Sequence, residues 1–210
     1  AHRDLANPAH RAEVAALWGV ADVPAQRGKT AVELFQAAAD GTVKALWIAC
    51  TNPAQSLPDQ ALVRRALETA ELVVVQEAYT TAATVPYADV LLPATTWGEK
   101  DGTVTNSGRR ISRVRAATQA PGEARDDWAI AVDFAHRLEA RLPARLNGRL
   151  TLFPYATPEA VWNEHRESTR GRDLDITGLS WATLERDGPQ QWPYPQGASS
   201  GKARLYADGI

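Results

Sequence analysis

The apolar positions of the chain change period several times, and each change marks an element. Near the start, Asn7-Pro8 precedes Val14, Leu17 and Trp18, with Gly19 behind them. That order predicts a short helix with an Asn cap, a proline in its first turn and a glycine stop. After a linker containing Pro24 and Gly28, Thr30 and Glu33 have capping-box spacing ahead of Leu34, Phe35 and Ala38, and Gly41 ends this second helix. The period then shortens. Lys44 to Cys50 is a continuous apolar run of strand length, as expected of a strand buried on both faces. Beyond the loop Thr51 to Gln55, Ser56 and Pro58 open a helix carrying Leu62, Val63, Ala66, Leu67 and Ala70 at helical spacing, and Leu72 to Gln76 is a second buried strand. Strand, helix and strand in this order form a βαβ unit, which requires parallel pairing and a right-handed crossover. A polar, alanine-rich segment leads to a third strand, Asp89 to Leu92, closed by Pro93.

Past Pro93 the pattern loosens. Gly102 to Thr105 and Arg110 to Arg115 read as short extended pieces around a turn at Ser107-Gly108. Asp126 or Asp127 caps an amphipathic helix with Trp128, Val132, Ala135, Leu138 and Leu142 on one side. Thr157-Pro158 starts another helix through Val161 and Trp162, and Ser180 to Arg186 forms a last one. From Gly188 to Gly201 the chain is rich in Pro, Gln, Gly and Ser, the composition of a linker. No internal repeat is present. The expected fold class is α/β: an open, mainly parallel, Rossmann-like sheet with flanking helices. The expected divisions are a helical lead-in at 1–41, a ligand-binding α/β segment at 42–143, a helical extension at 144–188 and a linker at 189–210.

Composition narrows the possible chemistry. The 210 residues suffice for one good-sized core. No stretch reaches the roughly 20 apolar residues that span a bilayer, and the opening AHRDLANPAH lacks the order of a signal peptide, so the expected location is the cytoplasm. Cys50 is the single cysteine, which excludes an internal disulfide or a cluster built on several thiolates within this chain. With 23 basic and 25 acidic residues, the net charge of -2 gives no reason to expect nucleic acid as a partner. The absence of Met, and an opening within a polar helix, suggest a chain that starts inside a longer protein.

In an open parallel sheet, ligands bind outside the carboxyl ends of the strands. This selects the loops Cys50 to Pro53, Gln76 to Tyr79 and Pro93 to Lys100. Asn52-Pro53 is either an ordinary turn or one that offers backbone N–H groups and an amide to a phosphate or sugar. Glu77, directly after an apolar strand, has the position of a carboxylate that grips ribose hydroxyls or a purine edge, or is a solvated loop residue. Lys100, between Glu99 and Asp101, offers a point charge to a pyrophosphate or forms a surface ion pair worth at most about 1 kcal/mol. Arg109, Arg113 and Arg115 alternate with Ile111, as a basic surface or as a solvated edge that discourages aggregation. There is no GxGxxG or GxxxxGK[ST] motif, so an ordinary NAD or ATP site has little support. His2, His10, His136 and His165 lack metal-ligand spacing, and no residue of this chain is expected to be catalytic or to ligate a metal.

The segments LWIACTNPAQSLPD, VVVQEAYTTAATVPYADVLLPATTWGEKDGTVTNSGRRISRVR and PGEARDDWAIAVDFAHRL together resemble the molybdopterin oxidoreductase superfamily. Weaker likeness continues in WNEHRESTRGRDLDITGLSWATLE and QQWPYP. Within that superfamily the stretch from Ala88 to Arg115 is most similar to assimilatory nitrate reductases. The resemblance implies a catalytic subunit in which molybdenum is held by the dithiolenes of bis-molybdopterin guanine dinucleotide. An iron-sulfur cluster elsewhere in the parent feeds it electrons. It also implies that the parent reduces nitrate to nitrite, that this segment alone does not, and that its sheet is incomplete because an earlier part of the parent adds strands. A closing C-terminal barrel would follow the tail. Carried over position by position, the cofactor-contacting set is Asn52, Gln76, Glu77, Lys100 and Asp127, with Glu77 standing where Asp is usual. The implied partners are the other domains of the same polypeptide and an electron-donor protein or reductase subunit, without nucleic acid or membrane. The alternatives are a formate dehydrogenase-like member and a cofactor-free electron-transfer scaffold like the large iron-sulfur subunit of complex I. Retention of Asn52, Lys100 and Asp127 together weighs against the scaffold, because a site without its ligand has no physical need for them.

Overall fold

A computed structural model describes residues 3–146 and 148–201; His2 and the end of the expected linker, 202–210, lie outside the described residues. In chain order the helices are α1 (Pro8–Trp18), α2 (Ala31–Ala39), α3 (Pro53–Ser56), α4 (Gln60–Thr69), α5 (Asp127–Arg141), α6 (Pro158–Glu167) and α7 (Trp181–Asp187). The strands are β1 (Ala45–Ala49), β2 (Leu72–Glu77), β3 (Val90–Pro93), β4 (Gly102–Thr105), β5 (Arg110–Val114) and β6 (Gln190–Gln191). They divide into two compact units. One comprises Arg27–Thr96 and Gln119–Ala131, and the other Ala1–Gln26, Trp97–Thr118 and Val132–Ile210. The units follow packing rather than the sequence divisions at 41, 143 and 188: α2 goes with the sheet, while the segment just after β3 goes with the other unit.

The first unit is the expected α/β layer. Its sheet has the order β1-β2-β3, with both pairs parallel. Leu46, Ile48, Val73 and Val75 point to one face and meet Phe35 and Ala38 of α2 and Val63, Ala66 and Leu67 of α4. Each such aliphatic side chain withdrawn from water contributes about 1.5 to 3 kcal/mol. Two local devices set the helices. Thr30 accepts from the Glu33 N–H while the Glu33 carboxylate accepts from the Thr30 N–H, a closed capping box at α2. Asp59 caps α4 by accepting from Leu62 N–H at 3.0 Å.

Two expectations for this unit are corrected. β1 is buried on one face only: Leu46 and Ile48 are covered, whereas Ala45, Trp47 and Ala49 alternate with them on an exposed side. The run is apolar at every position, so composition hides an alternation that only the covering layer reveals. The helix expected to open at Ser56 and Pro58 is in fact two elements. Pro53 starts the single turn α3, and Asp59, at φ 51°, restarts the chain into α4.

The second unit is built on the antiparallel hairpin β4–β5, with β6 paired to the other edge of β5. Ile111 of β5 lies in a core with Trp162 of α6, Leu184 of α7, Ile176, Leu179 and Tyr194. The tail read as a linker is therefore corrected as far as it is described. Gln190 and Gln191 pair with Ile111 and Arg110, and Tyr194 exchanges backbone hydrogen bonds with Asp175 and Gly178. A Cβ on Gly178 would come within 2.4 Å of Pro195 O, so the tail needs glycine there. Polar composition concealed this because the pairing uses backbone groups. In α5, Ala135 is buried as expected, but Leu138 and Leu142 at the far end of the expected apolar face are exposed. No described helix is long and apolar enough to cross a membrane.

Candidate functional site

The three parallel strands of the first unit end together. Ala49 is level with Gln76, Gln76 with Leu92, and Glu77 with Pro93. Beyond them, Ala94 forms a parallel bridge with Arg125, which brings the start of α5 to the same rim. Asp126 accepts the Ile130 N–H on its carbonyl, opening the helix, and its carboxylate accepts from the Thr95 hydroxyl at 2.9 Å and from the Trp128 indole at 3.2 Å.

Gln76 is only 5% exposed. Its Oε1 accepts from the Trp47 indole at 3.2 Å, and its Nε2 donates to Asp127 Oδ1 at 2.7 Å. The Cys50 thiol lies 3.9 Å from the same carboxylate oxygen. Cys50 itself sits at φ 59°, a left-handed turn of the chain as it leaves β1. A hydrogen bond to a carboxylate is stronger than one between amides, so the Gln76 contact helps to orient Asp127 at the rim. Glu77 is anchored differently: its Oε1 accepts from the N–H groups of Ala78 at 2.8 Å and Tyr79 at 3.1 Å. Asn52 accepts on Oδ1 from Thr84 and donates from Nδ2 to Gln55 at 3.0 Å.

Of the five residues chosen from sequence, Asn52, Gln76, Glu77 and Asp127 therefore stand on the rim of the α/β unit, and Gln76 and Asp127 are bonded to each other. Lys100 belongs to the other unit, with Nζ 5.4 Å from the centre of the Trp97 ring. Sequence reasoning missed Thr84, 1% exposed within an alanine-rich stretch that gave it no distinguishing signal. It missed Trp47 as well, whose indole was hidden in a run read only as a buried strand.

The arginines on and beside β5 have partners within their own unit. Arg113, with its side chain 8% exposed, meets Glu185 at 2.9 Å and Asp101 at 3.4 Å, and stacks on Trp181 at 3.5 Å. Arg115 pairs with Glu185, and Arg109 stands over Trp192. Arg113 and Arg115 thus form an ion-paired clip with Asp101 and Glu185 within one unit. Among the described residues no cluster of His, Cys, Asp and Glu is arranged to hold a metal ion. The second unit also holds a cavity of about 480 Å³ lined by Val14, Leu17, Trp18, Val161 and His165, and burial lowers the proton affinity of His165.

A parallel βαβ sheet with helices packed on one face, and with the start of a further helix brought to its carboxyl rim, defines an α/β protein of the open-sheet kind. The comparisons with known proteins narrow that class: the chain belongs to the molybdopterin oxidoreductase family, whose description "Molybdopterin oxidoreductase" matches residues 5–137. It is 36% identical to the assimilatory nitrate reductase catalytic subunit of Bacillus subtilis (strain 168), over 99% of this chain and 28% of that protein. It is 37% identical to a nitrate reductase of Synechocystis sp., over 99% of this chain and 29% of that one. The chain thus spans between a quarter and a third of the length of these relatives. Acetylene hydratase from Pelobacter acetylenicus shares its fold, with a TM-score of 0.55 at 22% identity over 74% of this chain and 20% of that chain. Membership of the family implies a molybdopterin cofactor with molybdenum.

Proposed function

We propose that this chain is the part of a molybdenum-dependent nitrate reductase that holds one molybdopterin guanine dinucleotide along the carboxyl rim of its parallel sheet. The observation that carries this reading is the bonded set at the rim, where Gln76 holds the Asp127 carboxylate beside the loops of Asn52 and Glu77. The donor set fits such a ligand. Carboxylates accept two hydrogen bonds at once and match a guanine edge or ribose hydroxyls, while an amide N–H matches phosphate or carbonyl oxygen. Asp127 and Glu77 take the first role and Asn52 the second. Gln76 acts through Asp127, and Lys100 neutralises pyrophosphate charge in the assembled protein. The cofactor supplies removal of one oxygen atom from nitrate with two electrons and two protons, giving nitrite and water; this chain supplies binding and orientation.

The likeness to nitrate reductases over almost the whole chain supports nitrate as the substrate. An iron-sulfur cluster elsewhere in the polypeptide, an electron-donor protein and a cytoplasmic location complete the reading. The test is molybdenum and guanine-nucleotide content of the full-length protein, with turnover on nitrate and on formate normalised to molybdenum. Asp127→Ala leaves polar ligand groups unpaired at a cost of about 1 to 3 kcal/mol, so occupancy falls before turnover per molybdenum does. Full occupancy in the Asp127→Ala, Lys100→Ala and Asn52→Ala proteins alike refutes the site, and turnover on formate but not nitrate refutes the substrate.

A further inference from the structure

Asn52 is held by more than its own loop. Its Oδ1 accepts from the Thr84 backbone N–H at 3.0 Å and from the Thr84 hydroxyl at 2.7 Å. A backbone N–H can only donate, so the atom facing it is the carboxamide oxygen. Turning the amide over would set donor against donor beside a residue that is 1% exposed. The hydroxyl is itself constrained: it accepts the Ala54 N–H at 3.1 Å, which directs its own proton to Asn52. On the outer side, Nδ2 gives one hydrogen to Gln55 Oε1 at 3.0 Å, and its second hydrogen has no acceptor among the described residues.

We infer that Thr84 is a positioning residue that locks the Asn52 carboxamide with its oxygen inward, so that Asn52 meets the bound dinucleotide solely as an N–H donor to an acceptor oxygen. This rests on the cofactor-binding reading above and specifies its polarity. Thr84 comes from the loop between β2 and β3, whereas Asn52 follows β1. The lock therefore also ties two rim loops that share no strand pairing at these positions.

Asp in place of Asn52 separates the two roles of the amide, because a carboxylate still accepts both Thr84 bonds but has no N–H to give. In the full-length holoenzyme, cofactor loss is followed as guanine nucleotide remaining per polypeptide during timed heating. Melting of the cofactor-free protein reports on the fold. Asn52→Asp should melt as the wild type does without cofactor, yet lose nucleotide about tenfold faster, the effect of one hydrogen bond to a charged acceptor. Should the acceptor be a phosphate, Asn52→Asp falls below Asn52→Ala and added salt narrows the gap; a neutral oxygen leaves the two alike. Thr84→Val should speed the loss, Thr84→Ser should restore retention, and Thr84→Val should add much less in an Asn52→Ala background, where only the Ala54 N–H bond to the hydroxyl is left to lose. Wild-type retention in Asn52→Asp, or an additive effect of Thr84→Val on Asn52→Ala, overturns the inference. If Asp127→Ala loses nucleotide while Asn52→Asp keeps it, the donor assignment alone falls. If both keep it, the rim falls as the dinucleotide site, and the donor assignment with it.

Discussion

Arg113 is the residue whose surroundings ask most of its particular chemistry. Its guanidinium donates to Glu185, to the carbonyls of Gly102 and Val114 and to Asp101, while its flat face lies on Trp181. Lysine offers neither the fork nor the face. Arg113→Lys should therefore lower stability by about 2 to 3 kcal/mol, read from chemical denaturation against wild type. The same clip gives a pH dependence. The hydrogen bond from Arg115, opposed by desolvation and reinforced by Arg113, holds the Glu185 carboxyl below its ordinary value of 4.5. Because the folded value is depressed, the stabilisation is fully present above 4.5 and is lost as pH falls through the folded value. The gap in denaturation midpoint between wild type and Glu185→Gln should close on acidification, and a constant gap would show that Glu185 titrates elsewhere. At the rim, the strand-end rule singles out the loops of Asn52 and Glu77, and the family resemblance adds Asp127, but neither announces which atoms bond to which. The resemblance implies Gln76 only as a cofactor contact; its amide also bonds Trp47 and Asp127, partners 29 and 51 positions away in the chain. Such pairings depend on register, which composition does not encode.

At the scale of elements, what was legible had a period or a cap. β1, β2 and α2 stand within a residue or so of their expected bounds, because apolar runs and the Thr30–Glu33 box act locally. The start of α4 was not legible, since Asp59 does its work in a left-handed backbone conformation that residue order does not announce. That geometry supplies a sharp test. Asp59→Asn keeps both the cap and tolerance of positive φ and should be neutral within about 0.5 kcal/mol, whereas Asp59→Ala loses both and should cost about 2 kcal/mol in denaturation. Equal stabilities would mean that neither cap nor strain matters to α4.

At the scale of the whole molecule, the sheet of the first unit leaves part of the face opposite its core exposed. Trp47, Leu72 and Val90 remain 39%, 41% and 42% exposed. Trp47 and Val90 face the same way through their common neighbour Val74. Apolar surface left beside strand edges favours association between copies. The isolated chain should thus show concentration-dependent assembly in gel filtration, and Val90→Lys should reduce it; a monomer at all concentrations would contradict this. The interleaving of the two units bears on biosynthesis. A chain leaving the ribosome completes β1 to β3 by Pro93, then must release Trp97–Thr118, which belongs to the other unit, before Gln119–Ala131 returns to the first. Until Asp127 has emerged, the Gln76 amide lacks its carboxylate and the rim lacks its fourth side. A nascent chain stopped at residue 118 therefore holds three paired strands without the Gln76–Asp127 bond or the Ala94–Arg125 bridge, so the rim is completed only by a segment made after part of the other unit.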